Sequence, residues 1–158
     1  MSWWAAKEFV KRDFFGIFKL IAWYLKGIPY LKYKLAEKIA LDPSTLPYNS
    51  EFLSYLIRKK SEGSKIFLAT GATEKYANQV ADYLKIFDGV FSSDLKTNLV
   101  AKNKAQKLEQ QFPDGFTYAG NSIDDVYIWE KATKRILVNP SKSAQKAMNS
   151  VPHILFKS

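Results

Sequence analysis

From Pro47 onward the sequence alternates helix-like stretches with short apolar runs, a rhythm that few folds accommodate. Asn49 or Ser50 is placed to cap a helix from Glu51 to about Lys60, which Gly63 closes. The run Lys65–Thr70, KIFLAT, is short, branched and aromatic, as a strand buried on both faces should be. Thr73 can cap the next helix, with Tyr76, Val80 and Tyr83, and a weaker strand candidate follows at Gly89–Phe91. Asn103–Gln111 then reads as helix, Phe116–Ala119 as strand, Asp124–Ala132 as helix, Arg135–Val138 as strand, Ser141–Met148 as helix and His153–Phe156 as strand. Strands separated by helices pair through crossovers, so the predicted class is α/β, with four or five strands in a mostly parallel sheet and helices on both faces.

The opening is different. Residues 1–42 carry Trp3, Trp4, Phe9, Phe14, Phe15, Phe18, Trp23, Tyr24, Tyr30 and Tyr33 among regularly spaced lysines. Phe14, Phe18, Ile21 or Ala22, and Leu25 recur at helical spacing until Gly27 and Pro29 interrupt. Leu31, Leu35 and Ile39 then share one face, and Asp42-Pro43 ends the run. Two or three short helices at 1–45, ahead of an α/β core at 46–158, are the natural division. Lys7, Glu8, Lys11, Arg12, Asp13, Lys19 and Lys26 interrupt the apolar residues too often for a spanning helix, and the pattern is not that of a cleaved leader.

With 158 residues the chain has enough material for one ordinary domain. It has no cysteine, which excludes disulfides, a thiol nucleophile and thiolate metal sites, and a cytoplasmic setting fits. The net charge of +9 suits an anionic partner. Nucleic acid is disfavoured, because the charge is spread out and no recognition motif is present. His153, the only histidine, has no neighbouring partner for a catalytic triad.

Ligands of open parallel sheets collect at the carboxyl ends of the strands. Thr70, Gly71, Asn121, Ser122, Asp124 and Asp125 follow predicted strands there. The Thr70 hydroxyl and the amides after Gly71 suit a phosphate oxygen, or simply a capped loop. Asn121 and Asp125 are four apart, so one turn can bring their oxygens toward a hard cation such as magnesium, or they merely cap a helix. A lysine of TNLVAKNKAQKL can neutralise an anion, but spacing does not choose Lys104 over Lys102 or Lys107.

The segments LPYNSEFLSYLIRKKSEGSKIFLATGATEKYANQVADYLKIFDGVFSSD, TNLVAKNKAQKL, YAGNSIDDVYIW and ILVNP together resemble the haloacid-dehalogenase-like (HAD-like) hydrolase superfamily. The similarity is greatest to the phosphatase-like domain fused to UbiA-type membrane prenyltransferases, and the opening resembles that branch's helical cap. The resemblance implies a three-layer Rossmann-like fold and gives Thr70 and Lys104 catalytic roles, with Thr70, Gly71 and Lys104 binding the phosphoryl group. It makes Asp125 a magnesium ligand, and Asn121 stands where many relatives have an acid.

The departure from the family is at its first strand, which carries an Asp-x-Asp-Gly-Thr segment supplying nucleophile and general acid. No such segment occurs here, and Asp13, in VKRDFF, fits neither role. The resemblance therefore implies a central strand that is missing, to be filled by the opening segment, an exchanged subunit, a partner protein or residues upstream of those displayed. The leading expectation is a hydrolase domain incompetent alone, with a partial phosphate and magnesium pocket for a small phosphorylated molecule. One alternative is a magnesium-dependent phosphomonoesterase completed by an upstream segment or partner. Another is a peripheral membrane or protein-interaction module, its aromatic helices resting on anionic lipid.

Overall fold

The computed structural model of the chain describes residues 3–12 and 16–158, so readings that rest on Asp13 and Phe14 lie outside them. The chain forms two compact units, residues 1–46 with 65–99 and residues 47–64 with 100–158.

The first unit begins with helices α1 (Trp3–Arg12), α2 (Gly16–Leu25) and α3 (Ile28–Lys38). Gly27 turns the chain between the last two at φ +103°, where a side chain would be strained, and Pro29 sits in the first turn of α3, where its missing N–H costs nothing. Phe9, Leu31, Leu35 and Ile39 are buried together, with Ala6, Leu20 and Trp23 packed against them. Burying each of those four large side chains contributes about 1.5–3 kcal/mol. Strand β1 (Phe67–Thr73), helix α5 (Glu74–Leu84) and strand β2 (Gly89–Ser93) complete the unit, β1 and β2 pairing in parallel from Phe67↔Gly89 with an irregularity between Ala69 and Thr73. Helix α5 holds α3 in place: Lys75 Nζ donates to the Ala36 carbonyl at 2.7 Å and the Tyr76 hydroxyl to the Ile39 carbonyl at 2.9 Å.

The second unit contains α4 (Ser50–Ser61), α6 (Ala101–Gln111), β3 (Thr117–Gly120), α7 (Val126–Trp129), β4 (Lys134–Val138), α8 (Lys142–Met148) and β5 (Ile154–Phe156). Asn49 caps α4 by accepting the Phe52 N–H at 2.8 Å, where the sequence places a cap, and Ser141, expected as the first residue of a helix, caps α8 by accepting the Ala144 N–H at 3.2 Å. The sheet order is β3-β4-β5, all parallel, over a core that includes Ile128, Trp129, Ile136, Leu137, Ala144 and Met148.

The α/β class and the parallel pairing hold. The single sheet expected from the sequence is instead two, because among the described residues β1 pairs only with β2, and β3 only with β4. The helix expected over Asp124–Ala132 is a 3-10 turn, Ile123–Asp125, followed by the short α7. No described helix is long and apolar enough to cross a membrane.

Candidate functional site

In the second unit, α6 turns Lys104, Ala105 and Leu108 inward while Lys102 and Lys107 stay exposed. The fold thereby makes the choice among lysines that spacing leaves open. Lys104 Nζ reaches the Tyr118 hydroxyl at 2.8 Å and Asp125 Oδ1 at 3.3 Å, and the same hydroxyl donates to Asp125 Oδ1 at 2.8 Å. The other carboxylate oxygen accepts the Asn121 N–H and the Ser122 N–H, each at 2.9 Å, and the Ser122 hydroxyl at 3.1 Å. Lys104 is 9% exposed and Asp125 5%, so the pair is held in a buried setting where each charge needs the other.

The electrostatics follow from these contacts. Burial pushes the Asp125 carboxyl up, but the Ser122 N–H, the Lys104 ammonium, the Tyr118 hydroxyl and the Asn121 N–H together hold it below the ordinary value. Burial drives the Tyr118 hydroxyl well above its ordinary range, and the adjacent Asp125 charge adds to this, so Tyr118 stays a neutral donor. Gly120 makes the turn sterically feasible: a Cβ there would meet Asp125 Oδ2 at 2.7 Å and Tyr118 Cε1 at 2.8 Å.

In the first unit, the strand expected to end at Thr70 runs on to Thr73, so Thr70 and Gly71 lie inside β1, where its pairing with β2 is irregular between Ala69 and Thr73. Thr70 Oγ1 accepts the Ala72 N–H at 3.1 Å. The Gly71 carbonyl accepts Lys32 Nζ at 2.9 Å and the Ser93 hydroxyl at 3.0 Å. Thr73 is the N-cap residue of α5, yet its hydroxyl makes no cap bond and is buried without a partner among the described residues.

The structure therefore brings Lys104 and Asp125 together within one unit and Thr70 and Gly71 together within the other. Asn121 meets Asp125 through its backbone N–H, while its side chain is exposed. These residues do not by themselves fit magnesium. Asp125 is a single carboxylate whose two oxygens already take five donors, one of them an ammonium, and the described residues contain no group of three or more metal-ligating side chains. Sequence reasoning missed Tyr118, which reads as an ordinary strand aromatic, and Lys32, one of many lysines. The capping-box spacing Ser122-x-x-Asp125 was available as a signal for the carboxylate's backbone partners.

No protein-family profile matches the sequence. An uncharacterized protein of Sinorhizobium fredii, y4nM, is 38% identical over 115 residues, covering 73% of this chain but only 22% of that protein. This chain thus spans less than a quarter of the length of that relative. Among solved structures, a Bordetella pertussis Tohama I protein of unknown function superposes with a TM-score of 0.67 at 12% identity, covering 88% of this chain and 79% of its own. A HAD family hydrolase of Salmonella enterica serovar Typhi superposes with a TM-score of 0.55 at 18% identity, covering 90% of this chain and 54% of its own. At these identities the likeness is one of fold, and the fold of this chain is α/β of the HAD-like Rossmann type.

Proposed function

We propose that the chain is a phosphohydrolase-like domain that binds a small phosphorylated molecule and is catalytically incompetent on its own. The observation that carries this reading is the pairing of a preorganised polar cluster with the lack of a nucleophile. Lys104, Tyr118 and Asp125 meet at the carboxyl end of β3, where parallel α/β folds hold anionic ligands, yet no Asp-x-Asp occurs anywhere in the 158 residues. Thr70 and Gly71 lie within β1, in its irregular stretch between Ala69 and Thr73. In this reading the nucleophile arrives on a strand from outside these residues, in a longer chain, a second copy or a partner; among the described residues β1 pairs only with β2, and β3 only with β4. Magnesium belongs to this reading only with carboxylates that such a strand would bring.

The test is turnover of a panel of phosphate monoesters by the folded 158-residue chain with magnesium. The expected result is no hydrolysis above the buffer rate. Hydrolysis that disappears in Asp125→Ala would overturn the proposal.

A second reading, peripheral contact with an anionic lipid surface, is favoured by α2. Ile17, Phe18, Ile21, Tyr24 and Leu25 recur along one helical stripe and are 54–80% exposed. Exposed Lys7, Lys11, Lys19 and Lys26 on this helical region suit anionic headgroups. Co-flotation with anionic but not neutral vesicles, lost in Phe18→Ser/Leu25→Ser, is the expected result; flotation unaffected by that double substitution would refute it.

A further inference from the structure

Lys32 is a cation that nothing in its local sequence singles out. Its ammonium donates to the Gly71 carbonyl at 2.9 Å and to Asn98 Oδ1 at 2.7 Å, both neutral acceptors, and no carboxylate among the described residues pairs with it. Lys75 likewise donates to a backbone carbonyl, that of Ala36, whereas several other lysines are matched by carboxylates. Lys11, Lys34 and Lys131 reach carboxylates at the surface, and Lys104 has Asp125. Lys32 is half-buried, and burial lowers its pKa, so solvent only partly balances its charge.

Its position is also specific. The Gly71 carbonyl it touches is already served by the hydroxyl of Ser93, the last residue of β2, which in turn accepts the Leu99 N–H at 2.9 Å. An ammonium is not needed to satisfy that carbonyl. Lys32 therefore stands against β1 at Gly71, the residue after Thr70 and two before Thr73, which opens the 11-residue helix α5 and whose hydroxyl is buried without a partner among the described residues. Thr70 Oγ1 accepts from the Ala72 N–H, which leaves its proton to donate. The tether from Lys75 and Tyr76 of α5 to α3 fixes the helix that carries the ammonium.

We propose that Lys32 is the charge-neutralising residue of an oxyanion site formed with the Thr70–Thr73 segment, taking a phosphoryl group or free phosphate. This inference rests on the phosphohydrolase-like reading and changes one part of it. The lysine that meets the anion comes from the helical region, while Lys104, whose charge Asp125 already balances, holds the turn after β3.

The experiment is a titration of inorganic phosphate into the ¹⁵N-labelled 158-residue chain at near-physiological salt. The expected result is saturable shifts at the amides of residues 70–75, with affinity weakened about tenfold or more in Lys32→Gln and largely kept in Lys32→Arg. The Lys32 ammonium, followed in the wild-type chain so that the test survives a variant that does not fold, should titrate at higher pH with phosphate bound. Unchanged titration of Lys32, or phosphate binding that survives Lys32→Gln and is lost in Lys104→Gln, overturns the assignment while leaving the phosphohydrolase-like reading standing. No shift at residues 70–75 overturns both.

Discussion

Replacing Asp125 by alanine removes the acceptor of five hydrogen bonds and leaves the Lys104 ammonium in a site where it is 9% exposed. Breaking a buried pair by deleting one partner costs about 3–5 kcal/mol, chiefly because the surviving charge stays desolvated. The Asn121 and Ser122 amides lose their acceptor in the same step, so the substitution should fall toward the upper end of that range. Chemical denaturation gives the total, and hydrogen exchange at the Asn121 and Ser122 amides gives the local part, with protection lost before global unfolding. Lys104→Met should relieve much of the cost in the Asp125→Ala background, since the stranded charge is then gone. A loss below about 1 kcal/mol, or a double variant no better than Asp125→Ala, would refute the argument that these two charges depend on each other.

Three other outcomes follow from the same geometry. Because contacts hold the folded Asp125 carboxyl below its ordinary value, its stabilisation is fully present above the unfolded value of about 3.9 and is lost as pH falls through the folded one. The stability gap between wild type and Asp125→Asn should therefore be flat from near neutrality down to mildly acidic pH and close only in stronger acid; a gap that closes near neutral pH contradicts the assignment. Gly120→Ala places a Cβ 2.7 Å from Asp125 Oδ2 and should cost about 1–3 kcal/mol by denaturation, with a neutral effect refuting the close approach. Tyr118→Phe removes a hydroxyl that accepts from Lys104 and donates to Asp125, and a loss of about 1.5–3 kcal/mol is expected in the same assay.

Much of the local structure was legible because its signals are short-range. Asn49 caps a helix where the sequence places it, and the helix from Ala101 and the strands at Phe67, Gly89, Thr117, Lys134 and Ile154 arise from runs whose period is visible in one dimension. Two compact units and two sheets were not legible, since parallel pairing joins residues far apart in the chain, such as Thr117 with Lys134, and no local pattern states which edge stays unpaired. The site shows the same division. Thr70 and Asp125 stood out beside predicted strands, whereas Lys104 was singled out only by the family resemblance, and the inward face of α6 is what separates it from Lys102 and Lys107. Lys32 carries no such mark: it differs from Lys34 and Lys38 because its ammonium reaches the Gly71 carbonyl and Asn98, contacts far away in the chain that no local pattern states. Tyr118 became a hydrogen-bonding residue only once Asp125 had folded back over Gly120.

The central claim is that this fold lacks its own nucleophile and gains activity from a strand supplied from elsewhere. Its most direct test is phosphate monoester hydrolysis, with magnesium, by the chain alone and by the chain joined at its amino terminus to a strand bearing Asp-x-Asp-Gly-Thr. The account predicts turnover only in the joined protein, abolished when the first aspartate of the added strand becomes asparagine. Turnover by the chain alone, or a folded joined protein with the strand paired and no turnover, would contradict it.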